Sequence, residues 1–96
     1  MRLKDELARL RPAILAAAAA NGADRVRLFG SAARGEESTE SDVDFLVDLL
    51  PGRSLVDLTR LEVQLESLIG RRVDVVTEAS LYEPIRSTAL REAVSV

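Results

Sequence analysis

Apolar positions along this chain follow two periods, a helical one and an alternating one, and the changes between them mark its elements. Leu3, Leu7 and Leu10 fall on one face of a short helix, which Arg11-Pro12 interrupts because proline disfavours helical backbone in the residue before it. Pro12 suits the first turn of a second helix that continues through Ile14, Leu15 and the alanines at 16–20 to Asn21-Gly22, a common helix stop. Alanine is a strong helix former with a small side chain, so the alanine run points to close packing against a sheet, with a partner-binding face as the alternative. Residues 24–29 then alternate as a first strand, Val26 and Leu28 to one side and Arg25 and Arg27 to the other. A second strand starts at Asp42, runs to about Leu49 and ends at the turn Pro51-Gly52. Ser54 caps the next helix, whose stripe of Leu55, Leu58, Leu61, Leu65, Leu68 and Ile69 stops at Gly70 and reads as core packing. Arg71-Arg72 leads into a third strand at 73–76, where Asp74 interrupts an apolar run. A final helix from Tyr82 or Pro84 to Ala93 brings Ile85, Leu90 and Val94 as apolar contacts, with Tyr82 as a half-buried packing residue.

Between the first two strands lies the segment that carries chemistry: Leu28-Phe29-Gly30-Ser31-Ala32-Ala33-Arg34-Gly35, a polar run, then Ser41-Asp42-Val43-Asp44-Phe45-Leu46-Val47. Side chains alternate on a strand, so Asp42 and Asp44 share one face while Val43, Phe45 and Val47 enter the core from the other. Two carboxylates whose Cα atoms are about 7 Å apart can lean onto one hard cation or bridge two, and oxygen ligands with room for water and phosphate suit Mg²⁺. Gly30 and Gly35 free the backbone to turn tightly, so that N–H groups and the Ser31 hydroxyl approach an anion where a short helix begins. A phosphate cradle beside a carboxylate metal site is the ground plan of two-metal phosphoryl or nucleotidyl transfer. The polar loop at 36–40 reads as exposed and able to close over a nucleotide.

Helix, strand, helix, strand, helix, strand, helix is an α/β (α+β) arrangement: a small mixed sheet with helices packed on one face and the aspartates on the other. Ninety-six residues read as a single domain, 1–96. Thirteen basic against sixteen acidic residues, a net charge of −3, argue against a nonspecific grip on nucleic acid and leave any triphosphate to a local metal site. The chain has neither Cys nor His, which excludes thiolate and imidazole catalysis, disulfides and typical zinc sites. No apolar run is long enough to span a membrane and no signal-peptide core is evident, so the expected location is cytoplasmic.

Gly30-Ser31, ten residues, then Asp42-x-Asp44 resembles the Gly-Ser-x10-Asp-x-Asp signature of the DNA polymerase β-like nucleotidyltransferase superfamily. With Leu28-Phe29 ahead of it, Arg34-Gly35 inside it and Ser41 before the first aspartate, the segment is similar to the minimal nucleotidyltransferase (MNT) group in particular, and the likeness takes in the Ala-rich helix and Arg72-Val73-Asp74-Val75-Val76. The resemblance implies a polymerase β-like fold and an MNT antitoxin paired with a HEPN-domain toxin. By the same resemblance Asp42 and Asp44 bridge two Mg²⁺ ions, Asp74 completes the metal site and activates the acceptor hydroxyl, and Ser31 contacts the β/γ-phosphates of ATP. The implied reaction places AMP on a hydroxyl of the partner, a tyrosine of the toxin. Plainer roles stand beside these: a charged strand edge for Asp42, Asp44 and Asp74, a helix cap for Ser31, and a structural role for Asp48. Arg34 reaches phosphate or a partner, or pairs with Glu36, Glu37 or Asp44. Two other functions compete, an antitoxin acting by contact alone and a small-molecule nucleotidyltransferase like the aminoglycoside-modifying branch.

Overall fold

The computed structural model describes residues 2–36 and 42–96, so the expected loop at 37–40 and Ser41 lie outside the described residues. The first helix, α1 (Leu3–Ala20), is continuous, against the expectation of a break at Pro12. Leu3, Leu7, Ile14 and Ala18 form one buried stripe with Leu10 and Ala17 packed beside it, and that stripe outweighs a single missing hydrogen bond. Pro12 and Ala8, whose carbonyl the proline ring leaves without its helical donor, are both exposed, so water can serve that oxygen. Asn21 caps α1 and is itself buried, donating from Nδ2 to the Ala17 carbonyl at 2.9 Å and to Gln64 Oε1 at 2.8 Å.

Strand β1 (Ala23–Phe29) follows, then the short helix α2 (Gly30–Arg34) and strand β2 (Val43–Leu49). Helix α3 (Leu55–Ile69) starts on Ser54 with a reciprocal cap, in which the Ser54 side chain accepts from the Val56 N–H and Asp57 Oδ2 accepts from the Ser54 N–H at 2.9 Å. It ends at Gly70 as expected. Leu58, Leu61, Leu65 and Ile69 are buried, but Leu55 is 74% exposed and Leu68 is exposed, so the stripe is narrower than the sequence suggests. Strand β3 (Val73–Val76), a 3-10 turn (Glu78–Ser80), helix α4 (Ile85–Glu92) and a two-residue strand β4 (Val94–Ser95) complete the chain. Ile85, Leu90 and Val94 are exposed and Ala89 is the buried residue of α4, contrary to the expected contacts. Tyr82 is 84% exposed, so its expected packing role is also corrected.

The sheet has strand order β3-β2-β1-β4, with β2 parallel to β3 and antiparallel to β1, and β1 antiparallel to β4. The core lies between α1, α3 and the sheet face that carries Val26, Leu28, Val43, Phe45 and Val47. Strand β3 is an edge, and its outward N–H groups are occupied by α3: Glu66 Oε2 accepts from Val73 at 3.1 Å and Glu62 Oε2 from Val75 at 3.0 Å. A strand edge closed in this way offers less to a second sheet. On the opposite sheet face Leu46 is fully buried, where parity alone would leave it open beside the aspartates. The largely buried Arg27 side chain shares that face, opposite Leu46, and the 3-10 turn lies against β2. Among the described residues no helix is long and apolar enough to cross a membrane.

Candidate active site

Register builds the site. In β1 the backbone at Arg25 takes φ +48°, and the pairing with β2 shifts between Asp24 and Arg27, an extra residue that sets Phe29 opposite Asp44. Gly30 follows at φ +72°, and a Cβ placed on it would lie 2.6 Å from Asp44 Oδ2. The turn and the carboxylate thus meet at a distance only glycine permits. On the other side of β2, the parallel pairing puts Asp74 directly across from Asp44. Neighbouring strands lie about 4.8 Å apart and Asp42 stands just ahead of β2, two residues before Asp44, so three carboxylates share one corner of the sheet.

Electrostatics bear on the same corner. Burial, then the charges of Asp74 and Asp42, push the Asp44 carboxyl up from its ordinary 3.8 to about 6, while Arg34 pulls the other way. Asp42 has a distant ion pair with Arg72, Nε to Oδ1 at 3.8 Å, and Asp74 is exposed. Among the described residues no group of three or more acidic side chains has closed around a common point, so a cation would have to draw the carboxylates inward. The donor set fits a hard divalent ion: oxygen ligands only, mutually repelling, and open enough to leave coordination positions for water or phosphate.

Ser31 is the second residue of α2 and half-buried; Phe29 holds the cap position, so the simple cap role does not apply to Ser31. Gly35 closes α2 in the left-handed conformation, and its N–H donates to the Ala32 carbonyl at 3.3 Å. Arg34 bonds Glu36 through Nε at 2.9 Å and both oxygens of Glu92 through Nη1 at 2.7 and 3.1 Å. Glu92 first and Glu36 second hold the guanidinium protonated, above its ordinary range. Of the pairings expected for Arg34, Glu36 is found and Glu37 lies outside the described residues. Glu92 was not anticipated, since it is 58 residues away and no local pattern could have flagged it. Asp48 has the structural role expected of it, pairing with Arg27 at 3.0 Å and Arg25 at 3.6 Å away from the acidic corner.

A sequence profile described as Nucleotidyltransferase domain matches residues 2–96. This chain belongs to the nucleotidyltransferase domain family. It is similar to protein adenylyltransferase MntA of Thermococcus cleftensis, with 47% identity over 75 residues, 78% of this chain and 76% of that protein. A solved structure, provisionally assigned as a minimal nucleotidyltransferase, superimposes with a TM-score of 0.85 at 48% identity and covers 100% of this chain and 97% of its own. The fold, a four-stranded mixed sheet with four helices among the described residues, is that of the minimal nucleotidyltransferases. A chain of a toxin-antitoxin crystallised with AMP-PNP shares this fold with a TM-score of 0.72 at 21% identity, over 85% of this nucleotidyltransferase and 68% of that chain.

Proposed function

We propose that this nucleotidyltransferase moves AMP from ATP to a hydroxyl of a partner protein, a tyrosine of a HEPN-domain toxin, and thereby acts as its antitoxin. The observation that carries the reading is Asp44, which stands against the Gly30 turn on one side and in register with Asp74 on the other, so that an acidic corner and a candidate phosphate loop adjoin. Similarity to a protein adenylyltransferase supports the reaction class, and the shared fold with a toxin-antitoxin chain crystallised with AMP-PNP supports the nucleotide and the setting.

Asp42, Asp44 and Asp74 would hold Mg²⁺, two ions in the fullest form, which supplies neutralisation of the triphosphate and acidification of the acceptor hydroxyl. Gly30 and Ser31 orient the triphosphate through backbone N–H groups and the serine hydroxyl, so that the acceptor oxygen approaches the α-phosphorus in line with the leaving oxygen. Asp74, the most exposed of the three, takes the hydroxyl proton on a carboxylate oxygen. The acceptor oxygen bonds to the α-phosphorus as the bond to the bridging oxygen breaks, and pyrophosphate leaves. Arg34, which Glu36 and Glu92 hold at the end of α2, would exchange one of these partners to reach a phosphate.

Intact mass spectrometry of the cognate toxin after incubation with this protein, ATP and Mg²⁺ tests the reading. Mass increments of AMP, abolished by Asp42→Ala/Asp44→Ala, are expected. A stable complex that silences the toxin with no increment would overturn the enzymatic account and favour neutralisation by contact.

A further inference from the structure

The two carboxylates that hold Arg34 differ in geometry, in exposure and in place. Glu92, the last residue of α4, takes Nη1 on both oxygens at 2.7 and 3.1 Å, and its side chain is only 23% exposed. Glu36, two residues beyond Arg34, takes Nε on one oxygen at 2.9 Å, and its side chain is 64% exposed. Glu92 borders the same cavity as Phe29 and Gly30, so its bond draws the guanidinium back along α2 toward the Gly30 turn, the direction in which helical side chains lean. Glu36 follows Gly35, past the end of α2. The guanidinium is near enough to the acidic corner for its charge to act on the Asp44 carboxyl.

We propose that Glu92 is a positioning residue that keeps Arg34 beside the Gly30 turn while a nucleotide is bound, and that Glu36 stands in for a phosphate at Nε and gives up that place when the phosphate arrives. The inference rests on the nucleotidyltransferase reading above and adds to it which partner of Arg34 is exchanged and which is kept. An exposed ion pair is weak because water competes for both of its ends, so the Glu36 carboxylate returns to solvent at little cost. Parting Glu92 from Arg34 would instead leave a largely covered carboxylate without its counter-charge. Nε also belongs to the fork of the guanidinium that can match a pair of phosphate oxygens. The bond that breaks most easily is therefore the one that opens Nε to the nucleotide. Two carboxylates outweigh one guanidinium, so the cluster with both glutamates in place repels a triphosphate, and departure of Glu36 removes that repulsion together with the competitor.

Titration calorimetry on the whole chain with Mg²⁺ and, in turn, ATP and inorganic tripolyphosphate tests this. Glu36→Ala and Glu92→Ala each remove one negative charge from the same guanidinium, so a purely electrostatic role predicts tighter binding in both. Opposite signs are expected here. Glu36→Ala should bind both ligands about threefold more tightly, as suits removal of an exposed competitor, and Glu92→Ala about tenfold more weakly, as suits loss of a charge-assisted contact. Glu92→Gln keeps an acceptor oxygen for Nη1 and should restore binding to within about threefold of the parent. In an Arg34→Gln background neither alanine change should have a further effect, since both act through Arg34. Glu36 is exposed and outside the helices and strands, so its arm of the test does not depend on how α4 tolerates substitution. Changes of the same sign in the two alanine variants would overturn the proposal. A loss in Glu92→Ala that persists without Arg34 would also overturn it, because Glu92 would then act through the packing of α4. Parental affinity in Arg34→Gln would overturn it as well and leave the nucleotide reading intact, whereas wild-type protein that binds neither ligand would sink that reading too.

Discussion

Gly30 and Gly35 bracket α2 with nearly identical backbones, φ +72° and +71°, but only Gly30 has a neighbour where a side chain would go. The two positions form a matched pair. Left-handed backbone costs an L-residue about 1–2 kcal/mol, so alanine at either glycine is expected to lower stability by that amount and Tm by roughly 4–16 °C. Activity should separate them. A methyl at position 30 would stand 2.6 Å from Asp44 Oδ2, about 0.8 Å inside the 3.4 Å at which ordinary contact begins, and aspartate is short enough that its whole carboxylate must swing away. A displacement on the order of 1 Å at a reacting centre costs about a hundredfold in rate. At position 35 an added Cβ meets nothing within 4 Å. We therefore expect Gly30→Ala to lose about a hundredfold or more in AMP transfer, and Gly35→Ala to stay within about threefold of the parent, given its open surroundings. Transfer is measured as labelled AMP incorporated into the toxin partner, and stability as the urea midpoint by far-ultraviolet circular dichroism. Equal losses of activity in the two variants, or full activity in Gly30→Ala, would refute the reasoning that the glycine exists to admit Asp44.

Three further outcomes follow from other parts of the fold. The Asp44 carboxyl is raised from 3.8 to about 6, so between those values the folded state binds more protons than the unfolded one. Metal-free stability is then expected to fall as pH rises through that window, an effect that Asp44→Asn should flatten in a pH series of urea midpoints. A cation needs the ionised form, so Mg²⁺ or Mn²⁺ affinity, read by calorimetry, should drop as pH falls through about 6. Asn21→Ala removes the buried amide that joins α1 to Gln64 of α3 and should cost about 1–3 kcal/mol by urea denaturation while leaving the activity of the folded fraction intact. Glu62→Ala/Glu66→Ala strips the acceptors from the β3 edge; a rise in light scattering on warming, with lower transfer activity, is expected, and unchanged scattering would show that the edge needs no such cover.

Sequence signals that act over a few residues translated well. The Ser54 cap, the stop at Asn21-Gly22, the end of α3 at Gly70 and the bounds of β3 each depend on local backbone chemistry. Pro12 is the instructive exception: its effect on the backbone is local, but the buried stripe from Leu3 to Ala18 is a tertiary gain that no window around the proline contains. Strand β4 carries two residues and so no period to detect, and Leu55, Leu68 and Ile85 are apolar residues that α3 and α4 leave facing outward. The site divides in the same way. Asp42 and Asp44 could be placed together because they are two residues apart at the start of β2, although the strand begins at Val43 and not at Asp42, whereas the place of Asp74 depends on β3 lying parallel beside β2 in the right register. The Arg34 to Glu92 pair and the two glutamates on the β3 edge are contacts between distant segments, made by residues that in sequence look like ordinary solvated charge.

Those glutamates bear on how the fold tolerates its own acidic corner. Burial first, and then the like charges of Asp74 and Asp42, raise the Asp44 carboxyl, so the approach of Asp74 to Asp44 is unfavourable where β3 meets β2. Strand β2 is central and has Val43, Phe45, Leu46 and Val47 buried, so it is fixed from both faces. Strand β3 has four residues and one neighbouring strand, and it would be the natural one to yield. Its remaining N–H groups at Val73 and Val75 flank Asp74, and those are the two that α3 grips with Glu66 and Glu62. Helix α3 thus does more than cover the core: through two hydrogen bonds to charged acceptors, each worth about 1.5–3 kcal/mol, it holds Asp74 in register with Asp44 against their mutual repulsion.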